Sequence, residues 1–486
     1  MQKKRNVVLI MVDQLRFDCI GINGNSMIST PNLNSLAAEG YNFSNAYSAT
    51  PTCIPARAAL LTGLKQENHR RVGYEDDVPW DYEKTIASEF ASKGYYTKAI
   101  GKMHVHLQRK LMGFHHIELH DGYLHASRKM SRPYGEQFQQ TDDYLDWLKQ
   151  KKGSQADLID SGLDCNSWVA RPWMIEEEYH PTNWLTSRAI DFLDKRDPTM
   201  PFFLKMSYVR PHSPLDPPSY YFNMYMDRIK DLPLSELGDW EKSQPYFKEE
   251  HSTVALRGLI PEADLKRSIA AYYGLVTHID HQIGRFIMRL MEHDLDKDTL
   301  IVFLSDHGDQ LGEHGLYRKG YPYQGSVHIP MMIYDPYQLV SNANGKTFDD
   351  LIEIRDVFPT LIELATGDKV TGIDGKSIVP IIKGDSDAYT REYLHGEHQL
   401  GDYSSQFILT KQWKYIWYSI SGQEQLFHLE TDPDEHHNLI GSEKYKDVQQ
   451  KLRNKLIQEL SNREEGFVKE GILQTILHPI NVLKKI

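Results

Sequence analysis

The fold is decided near the start of the chain by the stretch VVLIMVDQ, residues 7–14. Its first six residues are apolar and rich in β-branched side chains, a pattern typical of a strand buried on both faces of a sheet. The apolar run stops at Asp13 and Gln14. We therefore predict a central strand with polar side chains at its carboxyl end.

Similar strand patterns recur along the chain and alternate with helical ones. Strands are predicted at residues 95–100, 202–209, 299–304 and 329–334, and helices at residues 85–93, 184–194, 269–293 and 356–365. Alternation of this kind predicts a mostly parallel sheet with helices on both faces. Residues 105–185 have no clear period and are predicted to form long loops and short helices.

The pattern changes beyond a loop at residues 371–386. Short strands are predicted at residues 407–409, 413–418 and 425–429, followed by a helix at residues 445–461. The predicted fold class is therefore α/β: a large mostly parallel sheet sandwiched by helices, with a small C-terminal antiparallel sheet plus helix subdomain. We place the large domain at residues 1–380 and the subdomain at residues 381–486.

Charge and cysteine content exclude several classes of protein. The chain has 486 residues and a formal net charge of −12, which argues against binding nucleic acid or acidic membranes. An anionic ligand must therefore be attracted by a local cluster of cations. Cys19, Cys53 and Cys165 are widely separated, so neither a disulfide framework nor a cysteine zinc site is predicted.

The amino-terminal segment bears on location. Basic residues precede the apolar run, but that run is short and has no small-residue cleavage site after it. Apolar runs elsewhere are also too short to span a membrane. We predict no membrane span and, because no signal peptide is visible, a cytoplasmic location; a chain trimmed at its N-terminus would instead be periplasmic or secreted.

The segment from Cys53 to Gly63 is predicted to be a helix with reactive potential at its start. Pro55 suits a first helical turn and Gly63 suits the residue just past a helix. Cys53 then lies beside unpaired backbone N–H groups, and Arg57 lies one turn along the same face. This arrangement suits an anion site that contains a nucleophile. A buried structural cysteine with a surface arginine explains the segment alone equally well.

Polar residues also gather where the predicted strands end. These residues are Asp13, Lys102, His104, Arg210, His212, Asp306 and His307. In open parallel sheets, ligands bind at the carboxyl edge of the strands. An isolated Asp after a strand is usually a turn residue, and an isolated His is usually structural. Seven such residues at four strand ends favour a functional site.

The residue types at these positions are chemically complementary. Asp13 and Asp306 provide hard oxygen ligands, which Gln14 and His307 can complete into a divalent-cation site. The cations and proton donors suited to surround a tetrahedral oxyanion are Arg57, Lys102, His104, His212 and Lys319. Such a set can hold a sulfate or phosphate ester, neutralise developing charge and protonate the departing oxygen.

The sequence resembles the type I, formylglycine-dependent sulfatases of the alkaline-phosphatase superfamily. Residues 53–57, CIPAR, followed by LTG at residues 61–63, are similar to the family signature C-x-P-S-R followed by L-T-G. The supporting motifs are Gly101-Lys102-x-His104, Pro211-His212-x-Pro214 and Asp306-His307-Gly308, with Lys319 downstream. Residues 413–415, 426–427 and 432–439 are similar to the C-terminal subdomain of the family.

The resemblance implies a role for each matching residue. Cys53 would be oxidised to formylglycine by a separate maturation enzyme, and the hydrated aldehyde would attack sulfur. Arg57 and Lys102 would hold the hydrate and the sulfate, and His104 would assist sulfate release. His212 and Lys319 would contact the ester and protonate the leaving alcohol. The implied metal ligands are Asp13, Gln14, Asp306, His307 and residue 53.

Three positions depart from the family pattern. Ala56 replaces the usual Ser, Gln14 stands where many members have Asp, and His307 stands where many have Asn. Two carboxylates with an imidazole make a softer site, so Ca²⁺ is the first expectation and Mn²⁺ or another ion is an alternative. The pairing of Asp13 with Gln14 and of Asp306 with His307 also resembles that of the phosphonate monoester and phosphodiester hydrolases of the superfamily.

Sulfate ester hydrolysis, of an aryl or carbohydrate sulfate, is the predicted function. Phosphonate monoester or phosphodiester hydrolysis is the first alternative. The second is a non-catalytic, metal-dependent binder of sulfated glycans in which Cys53 stays a thiol. Residues 105–185, rich in histidine and aromatic side chains, suit substrate loops or glycan binding equally.

Several residues are candidates for contact with the rest of the substrate. They are His69, Arg70, Arg71, Arg210 and His328, with Gln66 and His106 beside them. Arg70 and Arg71 could recognise a sugar carboxylate or a second sulfate, although a solvated basic pair is an equally good interpretation. The segment at residues 393–398 is a further candidate for reaching the cleft.

Overall fold

The computed structural model describes residues 4–121, 142–158, 161–243, 252–337, 344–385, 389, 391–401 and 403–484. The strands of the first sheet and its neighbours are β1 Asn6–Asp13, β2 Tyr41–Phe43, β3 Ala46–Tyr47, β4 Tyr96–Gly101, β5 His116–Leu119, β6 Phe202–Pro211, β7 Thr299–Ser305, β8 Met331–Tyr334, β9 Lys346–Phe348 and β10 Ile352–Glu353. The later strands are β11 Leu394–Leu400, β12 Tyr403–Leu409, β13 Trp413–Tyr418, β14 Glu424–His428, β15 Val468–Lys469 and β16 Ile472–Leu473.

Helices fill the connections between these strands. They are α1 Pro31–Ala38, α2 Cys53–Thr62, α3 Gln66–His69, α4 Ile86–Ser92, α5 Asp143–Lys152, α6 Pro181–Lys195, α7 Ser219–Met226, α8 Glu262–Glu292, α9 Gln324–Val327, α10 Val357–Thr366, α11 Val379–Ile382 and α12 Lys446–Leu460. Within the described ranges, none of them is both long and apolar enough to cross a membrane. The location expected from the sequence stays a prediction.

The predicted α/β sheet is confirmed. The large sheet has eight strands in the order β5-β4-β6-β1-β7-β8-β2-β9. Its pairs from β5 to β7 are parallel, and β8 runs antiparallel to both β7 and β2. The strand β1 lies between β6 and β7 at the centre, as its unbroken apolar run requires.

The register of the central strands brings their carboxyl ends to one edge. Val12 pairs with Tyr208 of β6 and with Ser305 of β7, while Gly101 of β4 pairs with Ser207. The residues that follow these strands therefore meet at the same edge of the sheet. This is the position expected for a ligand site in an open parallel sheet.

The two faces of the sheet carry separate cores. Val8, Ile10 and Val12 face a buried cluster that includes residues of α1, α6 and α8. Val7 and Leu9 face the opposite cluster, to which α2, α4 and α10 contribute. The alternation of β1 side chains between two apolar layers explains why every position from Val7 to Val12 is apolar.

A small antiparallel sheet with a packed helix follows, as predicted. Its order is β11-β12-β13-β14, and Leu452 and Leu456 of α12 pack against Ile408 of β12. The opposite face of this sheet shares a buried cluster with the large domain, in which Phe407 joins Tyr323. The domain boundary at residue 380 stays a prediction, since one core crosses it.

Two regions differ from the sequence expectation. Helix α8 begins at Glu262, seven residues before the predicted start, because residues 262–267 form a polar, partly exposed extension that has no apolar period. Within residues 105–185 the chain forms the strand β5, as well as helices at Asp143–Lys152 and Pro181–Lys195. The interpretation of this region as substrate loops also covers residues 122–141 and 159–160, which lie outside the described residues.

Candidate active site

Helix α2 places Cys53 at its first position, as the sequence predicts. Thr52 precedes it in an extended conformation, and Gly63 ends the helix with a φ of 68°. That left-handed conformation is one that glycine adopts at little cost. All ten residues of α2 are buried, so the helix lies inside the molecule with its N-terminus at the carboxyl edge of the sheet.

The Cys53 thiol is surrounded by charged and polar groups. Its Sγ lies 3.3 Å from Lys102 Nζ, 3.3 Å from His307 Nε2 and 3.7 Å from Asp13 Oδ1. Burial opposes ionisation of the thiol, but the charges of Lys102, Lys319 and His307 hold the pKa of Cys53 well below its usual value. The residue therefore lies in a strongly polar pocket at a helix N-terminus, an environment that suits an activated group.

Arg57 and Lys102 connect this pocket to the carboxylates. Arg57 Nη1 donates to the backbone oxygen of Lys102 and to Ser207 Oγ, both at 2.9 Å. Its Nη2 lies 2.9 Å from Asp306 Oδ2 and 3.5 Å from Asp13 Oδ2. Lys102 Nζ donates to Asp13 Oδ2. Two fixed cations thus lie against two buried carboxylates, next to the thiol.

Lys319 and His212 form a second pair on the other side of Gln14. Lys319 Nζ donates to Gln14 Oε1 at 2.6 Å and contacts His212 Nε2 at 2.5 Å. His212 Nδ1 donates to the backbone oxygen of Ser213 at 2.7 Å, so Nε2 is the acceptor. Burial and then Lys319 lower the pKa of His212 well below its usual value. His212 is therefore neutral and accepts a hydrogen bond from Lys319.

His104 reaches the thiol from the loop after β4. Its backbone has a φ of 57°, and its backbone N–H donates to Asp121 Oδ1 at 3.1 Å. The same Asp121 oxygen accepts from the N–H of Met103 at 2.8 Å. A side-chain hydrogen bond from His104 contributes to the lowered pKa of Cys53.

Four residues could hold a metal ion. One ligand atom from each of Asp13, Cys53, Asp306 and His307 lies within 4.8 Å of the others, and all four side chains are buried. His307 Nδ1 donates to the backbone oxygen of Gly308 at 3.0 Å, which leaves Nε2 directed at the cluster, the usual arrangement of a metal-binding histidine.

The two carboxylates behave as a pair that needs a cation. Burial and the Asp13 charge raise the pKa of Asp306, and the contact of its Oδ2 atom with Arg57 Nη2 is an ion pair without hydrogen-bond geometry. Burial also acts to raise the pKa of Asp13, but nearby cations, chiefly Lys102, lower it to about 2. Two carboxylates, one imidazole and the group at position 53 fit a divalent metal ion. Gln14 contacts this set through its backbone N–H, which donates to Asp306 Oδ1 at 3.0 Å.

The residues predicted to contact the rest of the substrate are not brought together. Arg210 forms a buried bidentate ion pair with Asp216, at 2.6 and 2.8 Å. Arg71 stacks over Trp80 at 4.6 Å and donates to backbone oxygens, and His328 stacks on Phe17. His69 is buried with its Nδ1 accepting from the Arg71 N–H, and Arg70 ends α3 in the left-handed conformation. Their role as substrate residues stays a prediction.

Three residues near the site were not expected from the sequence. Asp309 accepts from the Gln14 side chain, Asp121 holds the His104 loop, and Ser207 accepts from Arg57. Asp309 follows Asp306 by three residues and could have been found from that spacing, whereas Asp121 and Ser207 carry no local signal. His398 belongs to the segment at residues 393–398 that was a candidate for reaching the cleft, and it contacts Thr52 Oγ1 at 3.0 Å beside the start of α2.

The fold and the buried cluster together define a class of protein. A cation site at the carboxyl edge of a mostly parallel sheet, next to a helix N-terminus and fixed cations, is suited to hydrolyse esters of sulfate or phosphate. Comparison with known proteins narrows this class.

The sequence model of the sulfatase family matches residues 5–367, and that of the C-terminal region of N-sulphoglucosamine sulphohydrolase matches residues 312–462. The chain is 52% identical to an arylsulfatase of Clostridium perfringens over 99% of this chain and 100% of that protein. It is 29% identical to the multifunctional alkaline phosphatase superfamily protein PehA of Trinickia caryophylli over 91% and 92% of the two chains.

Solved structures share the fold. The phosphonate monoester hydrolase of Agrobacterium radiobacter superposes with a TM-score of 0.77 and 24% identity over 94% of this chain and 96% of that one. A protein solved with its substrate D-glucosamine-2-N,6-O-disulfate superposes with a TM-score of 0.74 and 19% identity over 94% and 98%. The chain belongs to the sulfatase family. It is a sulfuric ester hydrolase.

Proposed function

We propose that this enzyme hydrolyses aryl sulfates by means of a formylglycine formed from Cys53. The observation that carries the proposal is the full-length similarity to an arylsulfatase, at 52% identity. The position of Cys53 supports it, since the side chain lies at the first residue of α2 among Lys102, His307 and Asp13. A separate maturation enzyme that recognises residues 53–57 is the partner required for this modification.

One hydroxyl of the formylglycine hydrate would lose its proton to the adjacent carboxylate pair and attack sulfur as the bond from sulfur to the alcohol oxygen breaks. Deprotonation of the second hydroxyl would then expel sulfate and restore the aldehyde. Arg57 and Lys102 hold the sulfate oxygens and the group at position 53. The departing oxygen takes its proton from Lys319, whose contact with His212 keeps that proton at the leaving-group position. His104 removes the proton of the second hydroxyl when sulfate leaves.

We further propose that Asp13, Asp306, His307 and residue 53 hold one divalent metal ion, with Ca²⁺ as the first choice. When bound, the ion would polarise a sulfate oxygen. Gln14 joins the ligands only if its Oε1 leaves Lys319, to which it is bonded at 2.6 Å. The imidazole of His307 makes Mn²⁺ the main alternative.

Mass spectrometry of the peptide that contains Cys53, taken from native cells, tests the modification. We expect the loss of sulfur that accompanies conversion to formylglycine. If only the free thiol is found, the non-catalytic glycan binder becomes the better interpretation.

Phosphonate monoester hydrolysis is the second candidate. The presence of Gln14 and His307, in place of Asp and Asn, favours it, and a phosphonate monoester hydrolase shares the fold. The two functions are separated by comparing kcat/KM for an aryl sulfate, a sulfated sugar, a phosphodiester and a phosphonate monoester. We expect the aryl sulfate to give the highest value. Faster turnover of the phosphorus esters would reverse the assignment.

A further inference from the structure

The segment that follows α3 lies beside His104, whose side chain contacts Cys53. Tyr74 and Asp76 stand on this segment, where Tyr74 is 36% exposed and the Asp76 side chain is 54% exposed. The Tyr74 hydroxyl donates to the Asp76 carboxylate, with both oxygens at 3.1 Å. The two side chains therefore form one exposed unit, an aromatic ring with a carboxylate attached to it.

This unit contacts the catalytic machinery directly. Asp76 Oδ1 lies 3.5 Å from His104 Nε2, and the Tyr74 ring centroid lies 5.8 Å from that of His104. His104 in turn makes a side-chain hydrogen bond with Cys53. Tyr74 and Asp76 therefore lie one side chain away from the group that reacts with the sulfate.

Two of the basic residues predicted to contact the rest of the substrate, Arg71 and Arg210, are engaged inside the protein. Arg71 donates to the backbone oxygens of Val78 and Pro79 at 3.1 and 3.0 Å. The Arg210 side chain is 1% exposed and is neutralised by Asp216. The charges of these two arginines are therefore held by internal partners, whereas the Asp76 carboxylate is exposed beside His104.

We propose that Tyr74 and Asp76 are specificity-determining residues, which select sulfate monoesters of aromatic or cationic alcohols and reject alcohols that carry a further negative charge. The proposal rests on the sulfate ester hydrolysis proposed above and adds the class of alcohol. The ring provides an apolar and cation-attracting face, and the carboxylate attracts an ammonium group and repels a carboxylate or second sulfate.

Three phenyl sulfates of nearly equal shape test this selection, with a para trimethylammonium, tert-butyl or carboxylate substituent. The measured quantity is kcat/KM of Asp76→Asn divided by that of the wild type, for each compound, so that intrinsic reactivity cancels. We expect this ratio to be about fivefold higher for the carboxylate than for the tert-butyl compound and about fivefold lower for the ammonium compound. Asp368→Asn, with the same charge change at an exposed position paired to Lys93, is the control and should leave the three ratios equal.

Equal ratios for the three compounds in Asp76→Asn would overturn the proposal, since Asp76 would then act only through His104 or through folding. The wild-type enzyme provides a second measurement that needs no variant. Its discrimination against the carboxylate compound should weaken as salt rises from 0.01 to 0.5 M, and discrimination that is independent of salt would also contradict the proposal. If the matured enzyme turns over none of the three esters, the proposed function itself has failed.

Discussion

At the scale of single residues, a small number of side chains balance the charges of the site. The single side chain of Arg57 contacts the Lys102 carbonyl, Ser207, Asp306 and Asp13. The neutral His212 accepts from the cation of Lys319, an arrangement that keeps a donor next to the departing oxygen. Each of these residues positions or neutralises a neighbour, so we expect single substitutions to have large effects on activity.

We expect His212→Ala to lower kcat/KM for an aryl sulfate by on the order of a hundredfold, because Lys319 loses the partner that positions its proton. The loss should grow as the leaving group becomes a weaker acid, which a series of substituted phenyl sulfates measures. His293→Ala, at an exposed histidine paired with Asp194, is the matched control. Near-normal rates in His212→Ala would show that the pair is not the proton donor.

We expect Asp306→Asn to remove the bound metal ion, since it takes one of two carboxylates from the cluster. Elemental analysis should give about one divalent ion per wild-type chain and much less in the variant. Asp349→Asn, at an exposed aspartate, should retain the ion. Chelator treatment of the wild type should lower its melting temperature, and addition of Ca²⁺ should restore it. Equal metal content in the two variants would refute the assigned ligands.

At the scale of elements, an ion pair and a hydrogen bond fix the position of the loop after β6. The ion pair between Arg210 and Asp216 closes the loop that carries His212, and Ser213 Oγ donates to the Ser167 backbone oxygen at 2.7 Å. The pair is buried, so the loop is positioned by a contact within the protein. Arg210, predicted to face the substrate, is part of this support.

We expect Asp216→Asn to lower both stability and kcat, because it leaves the Arg210 charge buried without a partner. The loss in the free energy of unfolding should be about 3–5 kcal/mol at neutral pH. Burial acts to raise the pKa of Asp216, but Arg210 lowers it to about 2 from 3.8. The folded-state pKa is depressed, so this stabilisation is complete above about pH 4 and is lost as pH falls towards 2.

Urea unfolding at several pH values measures the predicted pH dependence of the stabilisation by the Arg210–Asp216 pair. The difference between wild type and Asp216→Asn should be constant from pH 5 to 8 and shrink below pH 4. A difference that changes between pH 5 and 8 would point to another titrating group.

At the scale of the whole molecule, the small sheet supports the catalytic helix. In β11 the N–H of Glu397 donates to the Ala49 oxygen at 2.9 Å and that of Gln399 donates to the Val72 oxygen at 3.2 Å. These two contacts lie on either side of α2 in sequence. His398, between them, contacts Thr52 at 3.0 Å, so the C-terminal region reaches the residue next to Cys53.

We expect Arg463→Ala to weaken this support. Arg463 forms a bidentate pair with the buried Glu397, at 2.8 and 2.9 Å, and its loss leaves that carboxylate without its cation. The free energy of unfolding should fall by about 3–5 kcal/mol. Lys451→Ala, which removes an exposed pair with Glu392, should cost less than about 1 kcal/mol. Urea unfolding of the two variants compares them, and equal losses would remove the structural role assigned to the Arg463 pair.

The sequence by itself determined the fold class and the set of chemical groups. The apolar run of β1, the breaks at Gly63 and Asp13, and the spacing from Cys53 to Arg57 depend on backbone preferences and helical periods, which are local. The order and register of the strands were not determined in this way, because pairing depends on contacts between residues hundreds of positions apart. Hydrogen bonds such as that from Arg57 to Ser207 depend on this register.

Only the tertiary structure decided which charges are available to a substrate. Along the chain, Arg71 is equally consistent with a surface or a ligand residue, and Arg210 is predicted to belong to the functional site, but the fold supplies each with internal partners. It leaves Tyr74 and Asp76 exposed beside His104 and brings His398 to the start of α2. The physical reason is that burial and ion pairing are properties of the packed molecule, whereas residue type and spacing are properties of the chain.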